Sequence, residues 1–213
     1  MLPTDSMNYS PASFTADRMA AEGALWPWIH RFFWEPAKDL HPQRRVMVAP
    51  ILQERDWEDV RTLGYVSRHL VDQIGKPDPF EWDSRSFGFR LALLPSAPLS
   101  RLARLMGLAI TGCPVDPDDE DADFAMERAR LYWHRDGEES STTACKQSGW
   151  RALREVVAGQ PRPIGQRFEW KTPPDDGYLS SDCEDAEAQR ALARRVLREL
   201  EEPWCNLFVT SVR

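Results

Sequence analysis

The stretch Ala97-Pro98-Leu99-Ser100-Arg101-Leu102-Ala103-Arg104-Leu105-Met106-Gly107-Leu108-Ala109-Ile110 carries the periodicity that decides the fold class. Its apolar side chains recur at intervals of three or four residues, which is the spacing of one face of an α-helix. Gly112 follows and favours a helix end, because glycine tolerates a left-handed backbone. We therefore predict a helix over Ala97–Ile110 whose buried face consists of Leu99, Leu102, Leu105, Met106 and Ala109.

Four further segments are predicted to be helices. They are Trp57–Ile74, Phe124–His134, Gln147–Ala158 and Asp185–Glu202. In the first of them Asp56 is a candidate cap, and the predicted buried face consists of Val60, Leu63, Leu70, Val71 and Ile74. In the last segment the side chains predicted to face inward are Leu192, Val196, Leu197 and Leu200.

Two short segments carry a different pattern. Phe168-Glu169-Trp170 alternates apolar and polar residues, which predicts a short strand. Phe87–Leu91 fits either a short extended segment or a helical turn. Because the chain shows no regular alternation of strands and helices, we predict an all-α or mainly α fold. The expected architecture is a single compact helical domain with at most a short minor β element.

The N-terminal part of the chain changes character at Leu25. Residues 1–20 are rich in small and polar side chains and are predicted to form a flexible leader, with one helical domain over residues 21–213. Residues 25–34, with the sequence Leu-Trp-Pro-Trp-Ile-His-Arg-Phe-Phe-Trp, concentrate large apolar groups. We expect most of them in the core, because monomers rarely expose such patches. The alternative is an anchor for a partner.

The chain is acidic, with a formal net charge of -7 and a pI of about 5.2. Phosphate backbones and anionic lipid surfaces repel such a chain, so nucleic acid is not expected as a partner. No apolar run reaches the roughly 18 residues that cross a bilayer, and the first residues lack the features of a secretory signal. We expect a cytoplasmic protein without direct membrane insertion.

The motifs of common catalytic sites do not occur in the sequence. It contains neither GxGxxG nor GxxxxGK[ST], and its four histidines are scattered. The four cysteines form no CxxC pair, so they are expected to be free thiols that act as small apolar residues. An enzyme using Cys145, or the acidic segment with a metal, is the weaker hypothesis. We predict no enzymatic activity, no metal and no cofactor.

The candidates for partner binding are acidic and aromatic. Six carboxylates fall within residues 116–123, and they predict either a solvated loop or a negative patch that docks a basic surface. Trp82, Trp170 and Trp204 lie near turns or helix ends, where tryptophan often contributes binding energy. The candidate residues are Asp116, Asp118, Asp119, Glu120, Asp121, Trp82 and Trp204.

Three segments carry motifs that point to one family when taken together. Pro36-Ala37-Lys38-Asp39-Leu40-His41-Pro42 has the pattern "PA…LHP", and Leu93–Leu108 has the pattern "LP…L…L…LG". Residues 147–208 read as a pair of helices with a proline-rich connector. In order and spacing these segments resemble the SctK-type accessory proteins of the type III secretion sorting platform. The leader and the acidic segment 116–123 depart from that pattern.

The resemblance implies a non-enzymatic adaptor. SctK-type proteins link the cytoplasmic domains of the inner-membrane ring protein SctD to the pods built by SctQ, which connects through SctL to the ATPase SctN. The implied location is the cytoplasmic periphery of the inner membrane, and no cofactor is implied. The alternative is an acidic secretion chaperone or regulatory binding protein, although secretion chaperones are commonly smaller α/β dimers.

Overall fold

The fold consists of helices joined by short connections. The computed structural model describes residues 23, 25–75, 82–113, 115–116, 118–124, 142–174, 186–199 and 208. The α-helices are α1 (25–34), α2 (Pro42–Val48), α3 (Val60–Ile74), α4 (Phe87–Leu93), α5 (Ser96–Thr111), α6 (Thr142–Val157), α7 (Arg162–Lys171) and α8 (Ala186–Val196). Short 3-10 helices span Pro36–Asp39, Glu54–Glu58 and Leu197–Glu199. No strand occurs in these ranges, which confirms the predicted mainly α fold.

Helices α5 and α6 cross with their backbones in direct contact. A Cβ atom built on Gly149 of α6 would lie 1.7 Å from the carbonyl oxygen of Ala103. A Cβ atom on Gly107 of α5 would lie 2.1 Å from the carbonyl oxygen of Cys145. Both distances are far below van der Waals contact, so any side chain at either position would force the two helices apart. The two glycines therefore determine how closely the backbones of α5 and α6 approach each other.

The predicted helix over Ala97–Ile110 is confirmed as α5. Its five predicted inward residues are all buried, and Gly112 ends the helix in the left-handed region at a φ of 62°. Helix α6 begins at Thr142 rather than at the predicted Gln147. The additional turn carries Cys145, which is buried against α5 at the crossing, so tertiary packing supports a polar first turn that periodicity alone misses.

The main hydrophobic core surrounds this crossing. Helices α1, α4, α7 and α8 contribute buried side chains to the same cluster as α5 and α6, among them Ile29, Phe32, Phe33, Phe89, Leu91, Phe168, Ala193 and Val196. Phe87–Leu91 forms part of α4, which confirms the helical reading of that segment. In α8 and the 3-10 turn that follows it, Val196 and Leu197 are buried and Leu192 packs against the core, as predicted.

A second, smaller hydrophobic cluster lies beneath α3. It consists of Ala37, Leu40, Trp57, Val66 and Leu70, which come from the first two 3-10 helices, the residue after the first of them, and the buried face of α3. The backbone N–H of Ala37 donates a hydrogen bond to the hydroxyl of Ser67 at 3.2 Å, so a polar contact also fixes this junction.

The predicted helix Trp57–Ile74 is divided at Asp59. The carboxylate of Asp59 accepts a hydrogen bond from the backbone N–H of Thr62 at 2.8 Å and caps α3, whereas Asp56 belongs to the preceding 3-10 helix. The expectation that Asp56 caps the long helix and that Val60 is buried was therefore wrong. Val60 occupies the first helical position and is exposed, because the Asp59 cap turns that position toward solvent.

Helix α7 places two long cations in the interior. The Nζ atom of Lys171 donates to the carbonyl oxygens of Ala92 at 2.7 Å and Leu94 at 2.9 Å. The guanidinium of Arg167 donates to the carbonyl oxygen of Gly75 at 2.9 Å. These acceptors lie at the C-terminal ends of α4 and α3, where carbonyls lack helical partners and the helix dipole favours positive charge. The two cations therefore join three helices.

The predicted strand at Phe168-Glu169-Trp170 is wrong, because these residues lie within α7. The buried residues of α7 are Ile164, Arg167, Phe168 and Lys171, which recur at helical spacing. Two of these four are charged, so a search for apolar periodicity does not recognise the helical face. Three predictions fall outside the described residues, namely the leader 1–20, most of the helix Phe124–His134, and residues 200–202.

The α5–α6 crossing predicts a contrast between two glycine substitutions in helices. Gly149→Ala should reduce the free energy of unfolding by about 3 kcal/mol, because the added methyl group collides with the α5 backbone. Gly64→Ala, in the middle of α3 and with open space around its Cβ position, should instead stabilise the protein by about 1 kcal/mol. Urea denaturation of both variants measures these changes, and equal effects would contradict the crossing.

The burial of Lys171 predicts a gain of stability at alkaline pH. Burial lowers its pKa from 10.5 to about 8, so between these values the unfolded chain retains a proton that the folded chain has lost. Stability from this group therefore rises as the pH increases across that window. Relative to Lys171→Met, the native chain should gain about 3 kcal/mol between pH 8 and 10.5 in urea denaturation. A difference that is independent of pH would refute this account.

Candidate partner-binding surface

Helix α1 presents different side chains to the core and to solvent. Leu25, Ile29, Phe32 and Phe33 are buried in the main core. Because an α-helix has 3.6 residues per turn, positions 26, 30 and 34 share the opposite face. Trp26 is 51% exposed and Trp34 is 39% exposed. The prediction that most of the large apolar groups lie in the core is therefore confirmed, and two tryptophans of the segment remain exposed.

The exposed residues of α1 form one continuous aromatic surface, which we call the aromatic stripe (Trp26, His30 and Trp34). The ring centroids of Trp26 and Trp34 lie 6.2 Å apart, and the His30 ring stacks on Trp34 at 5.6 Å with an interplanar angle of 21°. The Trp34 ring also contacts the buried Phe33 edge to face at 5.8 Å. The stripe is thus held by the core beneath it, and binding would require little ordering of side chains.

A second exposed apolar surface lies on α2 and the turn after it. Helix α2 contains no buried residue, and its side chains Val46 and Met47 are largely exposed. Ile51 follows in the turn and is 90% exposed. Neighbouring Val48 and Leu52 pack against the second cluster, so the backbone of this apolar ridge (Val46, Met47 and Ile51) is anchored while these three side chains face solvent.

The acidic segment folds back onto α5 through two of its carboxylates. Arg104 donates a short hydrogen bond to Asp119. Its Nε atom also lies 3.1 Å from Asp121 Oδ2, and Arg101 lies 3.7 Å from Asp121 Oδ1. No described residue donates a hydrogen bond of good geometry to Asp121 Oδ2, so its contact with Arg104 is mainly an ion pair. Asp119 and Asp121, two of the predicted docking residues, therefore hold the segment against α5.

The two paired carboxylates have opposite pKa shifts. The hydrogen bond from Arg104 lowers the pKa of Asp119 below its ordinary value. Burial raises the pKa of Asp121, and the charges of Arg104 and Arg101 oppose that effect. Asp116, Asp118 and Glu120 are exposed and form no ion pair within the described residues. Asp116 Oδ1 accepts one local hydrogen bond, from the backbone N–H of Asp118 at 3.0 Å. These three carboxylates remain available to a basic surface.

Of the two tryptophans predicted to bind a partner, the structure describes Trp82. Trp82 is only 8% exposed, and its ring packs 4.8 Å from Phe33 and 6.1 Å from Phe89 in the core. It therefore does not offer the accessible ring that its position near a turn led us to expect. Trp204 lies outside the described residues. Sequence reasoning missed Trp26 and Trp34, although their spacing of eight residues, with His30 between them, is the signal of a helical face.

Cys145 lies in an environment that disfavours nucleophilic chemistry. Burial raises the pKa of its thiol, whereas a nucleophilic cysteine requires a lowered one. Within the described residues no three His, Cys, Asp or Glu side chains are grouped so that they could hold a metal ion. None of the helices described here is both long and apolar enough to cross a bilayer.

A comparison of the chain with protein-family models, curated proteins and solved structures found no match.

The ion pairs of Arg104 with Asp119 and Asp121, which we call the clamp, predict that two arginine substitutions will differ in their effect on stability. Arg104→Gln should cost about 2 kcal/mol of unfolding free energy, because the buried Asp121 loses its main compensating charge while Arg101 remains. The control Arg68→Gln, at an exposed position of α3, should change stability by less than about 0.5 kcal/mol. Urea denaturation at neutral pH distinguishes the two variants. If Arg104→Gln leaves the free energy of unfolding unchanged, the segment is not held by this clamp.

Proposed function

We propose that this chain is a protein-docking adaptor that links SctD to SctQ, as its resemblance to the SctK-type proteins implies. The observation that supports docking is the aromatic stripe. Two tryptophans remain accessible on a helix whose other face is packed into the core. Tryptophan offers a large, rigid contact area and is enriched among residues that dominate binding energy. A monomer that exposes two such rings side by side is suited to bind another protein there.

A bridging role requires more than one contact surface. Besides the aromatic stripe, the apolar ridge of α2 is exposed, and so are Asp116, Asp118 and Glu120 of the acidic segment. With a net charge of -7, the chain favours basic partner surfaces, and such complementarity mainly increases the association rate and selects the register. The proposed partners are SctD and SctQ directly and SctL and SctN indirectly, with neither nucleic acid nor a cofactor involved.

The proposed role assigns this chain to the cytoplasmic periphery of the inner membrane, where SctD would hold it. The proposed role requires no catalysis. The raised pKa of the Cys145 thiol agrees with a role that does not use this cysteine as a nucleophile. Several interior polar groups also have structural partners. Lys171 and Arg167, for example, donate to helix-terminal carbonyls rather than project into a cleft.

Binding to the partners encoded with this chain tests the proposal. Purified full-length protein is immobilised, and the SctD cytoplasmic domain and SctQ from the same organism are offered by interferometry at low and moderate salt. Trp26→Ala/Trp34→Ala should weaken binding to at least one partner about tenfold or more. The matched control is Tyr65→Ala, which removes an exposed aromatic ring from α3 and should leave both affinities unchanged.

The charge contribution is tested in the same assay. Asp116→Asn/Asp118→Asn/Glu120→Gln should slow association at low salt and have little effect at moderate salt, because exposed charges act through steering. Thermal denaturation of each variant confirms that the fold is intact. If the folded native chain binds neither SctD nor SctQ, the adaptor proposal is refuted.

A further inference from the structure

The fold brings together two cysteines that are far apart in the sequence. Cys113 lies two residues beyond the end of α5, and Cys145 lies in the first turn of α6. Both side chains are buried, and neither is in a disulfide bond. The close crossing of the helices produces this proximity, because the Cys145 backbone rests against Gly107 one turn before the end of α5.

The hydroxyl of Thr111 marks the point where the two cysteines meet. Its Oγ1 atom donates to the carbonyl oxygen of Gly107 at 2.8 Å and accepts a hydrogen bond from the backbone N–H of Cys113 at 3.3 Å. The Cys145 Sγ atom lies 3.1 Å from the position that a Cβ atom on Gly107 would take, one helical turn before Thr111. Besides burial, which raises the pKa of the Cys145 thiol, the side chains of Thr111 and Cys113 both shift it through hydrogen bonds, the first lowering it and the second raising it. Both thiols are therefore buried in the main core, side by side where the end of α5 meets the first turn of α6.

We propose that Cys113 and Cys145 form a reversible disulfide bond when the chain meets a small-molecule disulfide such as oxidised glutathione. The thiolate of one cysteine attacks a sulfur of the small disulfide and releases one small thiol. The thiolate of the second cysteine then attacks the protein sulfur of the mixed disulfide and releases the other small thiol. The two protein thiols lose two protons and two electrons, and the small disulfide gains them.

The environments of the two thiols indicate the order of attack. Cys145 is the more deeply buried, and burial raises the pKa of its thiol, so it is a poor first nucleophile. Cys113 is slightly more accessible, at the end of a helix, and therefore forms the mixed disulfide. Cys145 resolves it, because its sulfur is already adjacent. Both thiols are buried, so the first step should be slow and should require local opening.

The proposed bond would enclose residues 114–144, which include the whole acidic segment. It would fasten the end of α5 to the start of α6 next to their glycine crossing. A cross-link of this kind restricts the unfolded chain and so raises stability. The inference rests on the packing of α5 and α6 alone, so it is independent of which partner the chain binds.

The test uses the full chain with Cys183→Ser and Cys205→Ser, which removes the two other thiols. The folded protein is incubated with excess oxidised glutathione at pH 8 without denaturant. We expect an intact mass about 2 Da below the reduced chain, with no retained glutathione. Peptide mapping without reduction should join the peptides that contain Cys113 and Cys145. The melting temperature should rise by on the order of 5 °C and return to its former value with dithiothreitol.

A single cysteine substitution in the same background provides the matched control. With Cys145→Ser, the chain should accumulate a stable glutathione adduct at Cys113, because nothing resolves it. The proposal is overturned if the parent chain also retains glutathione at Cys113, if it stays fully reduced, or if the bond forms only in denaturant. If the two serine substitutions impair folding, peptide mapping of the native chain answers the same question.

Discussion

The contact between Gly149 and the backbone of Ala103 is the constraint on which the rest of the structure depends. Two helix backbones can approach this closely only where the residue that faces the partner backbone is glycine. The close approach makes α5 and α6 a tightly packed pair, and the buried faces of α1, α4, α7 and α8 belong to the same hydrophobic core. It also explains why α6 extends through Cys145, since the first turn completes the crossing.

The sequence predicted the helical class and most helix positions because apolar periodicity is a local property. Helix α5 shows this best, since its buried face and its end at Gly112 both follow from spacing and glycine chemistry. The prediction failed at α7, where Arg167 and Lys171 occupy buried positions of the helical face. Their burial depends on carbonyl acceptors from α3 and α4, and no local pattern reveals which distant carbonyls will be available.

The candidate surface was less predictable than the fold, because exposure depends on which elements cover one another. The composition of the acidic segment was visible in the sequence, but the pairing of Asp119 and Asp121 with Arg104 arises only when the segment folds back along α5. A turn position suggested an accessible ring at Trp82, and the neighbouring aromatic side chains of α1 and α4 cover it instead. The sequence of α1 did carry a signal of an exposed apolar face. Its large apolar residues occur on nearly every side of the helix, and the core can cover only one side.

The second hydrophobic cluster has its own consequence for the dynamics of the chain. It is small, it is separate from the main core, and its members come mostly from one contiguous part of the chain, residues 37–70. Such a unit can open as a foldon while the larger core remains intact. Amide protons of α3 should then exchange with solvent through this local opening, whereas those of α5 and α6 exchange only when the whole protein unfolds. The apolar ridge of α2 belongs to the looser unit, so a partner that binds there would stabilise a part of the molecule that the glycine crossing does not reach.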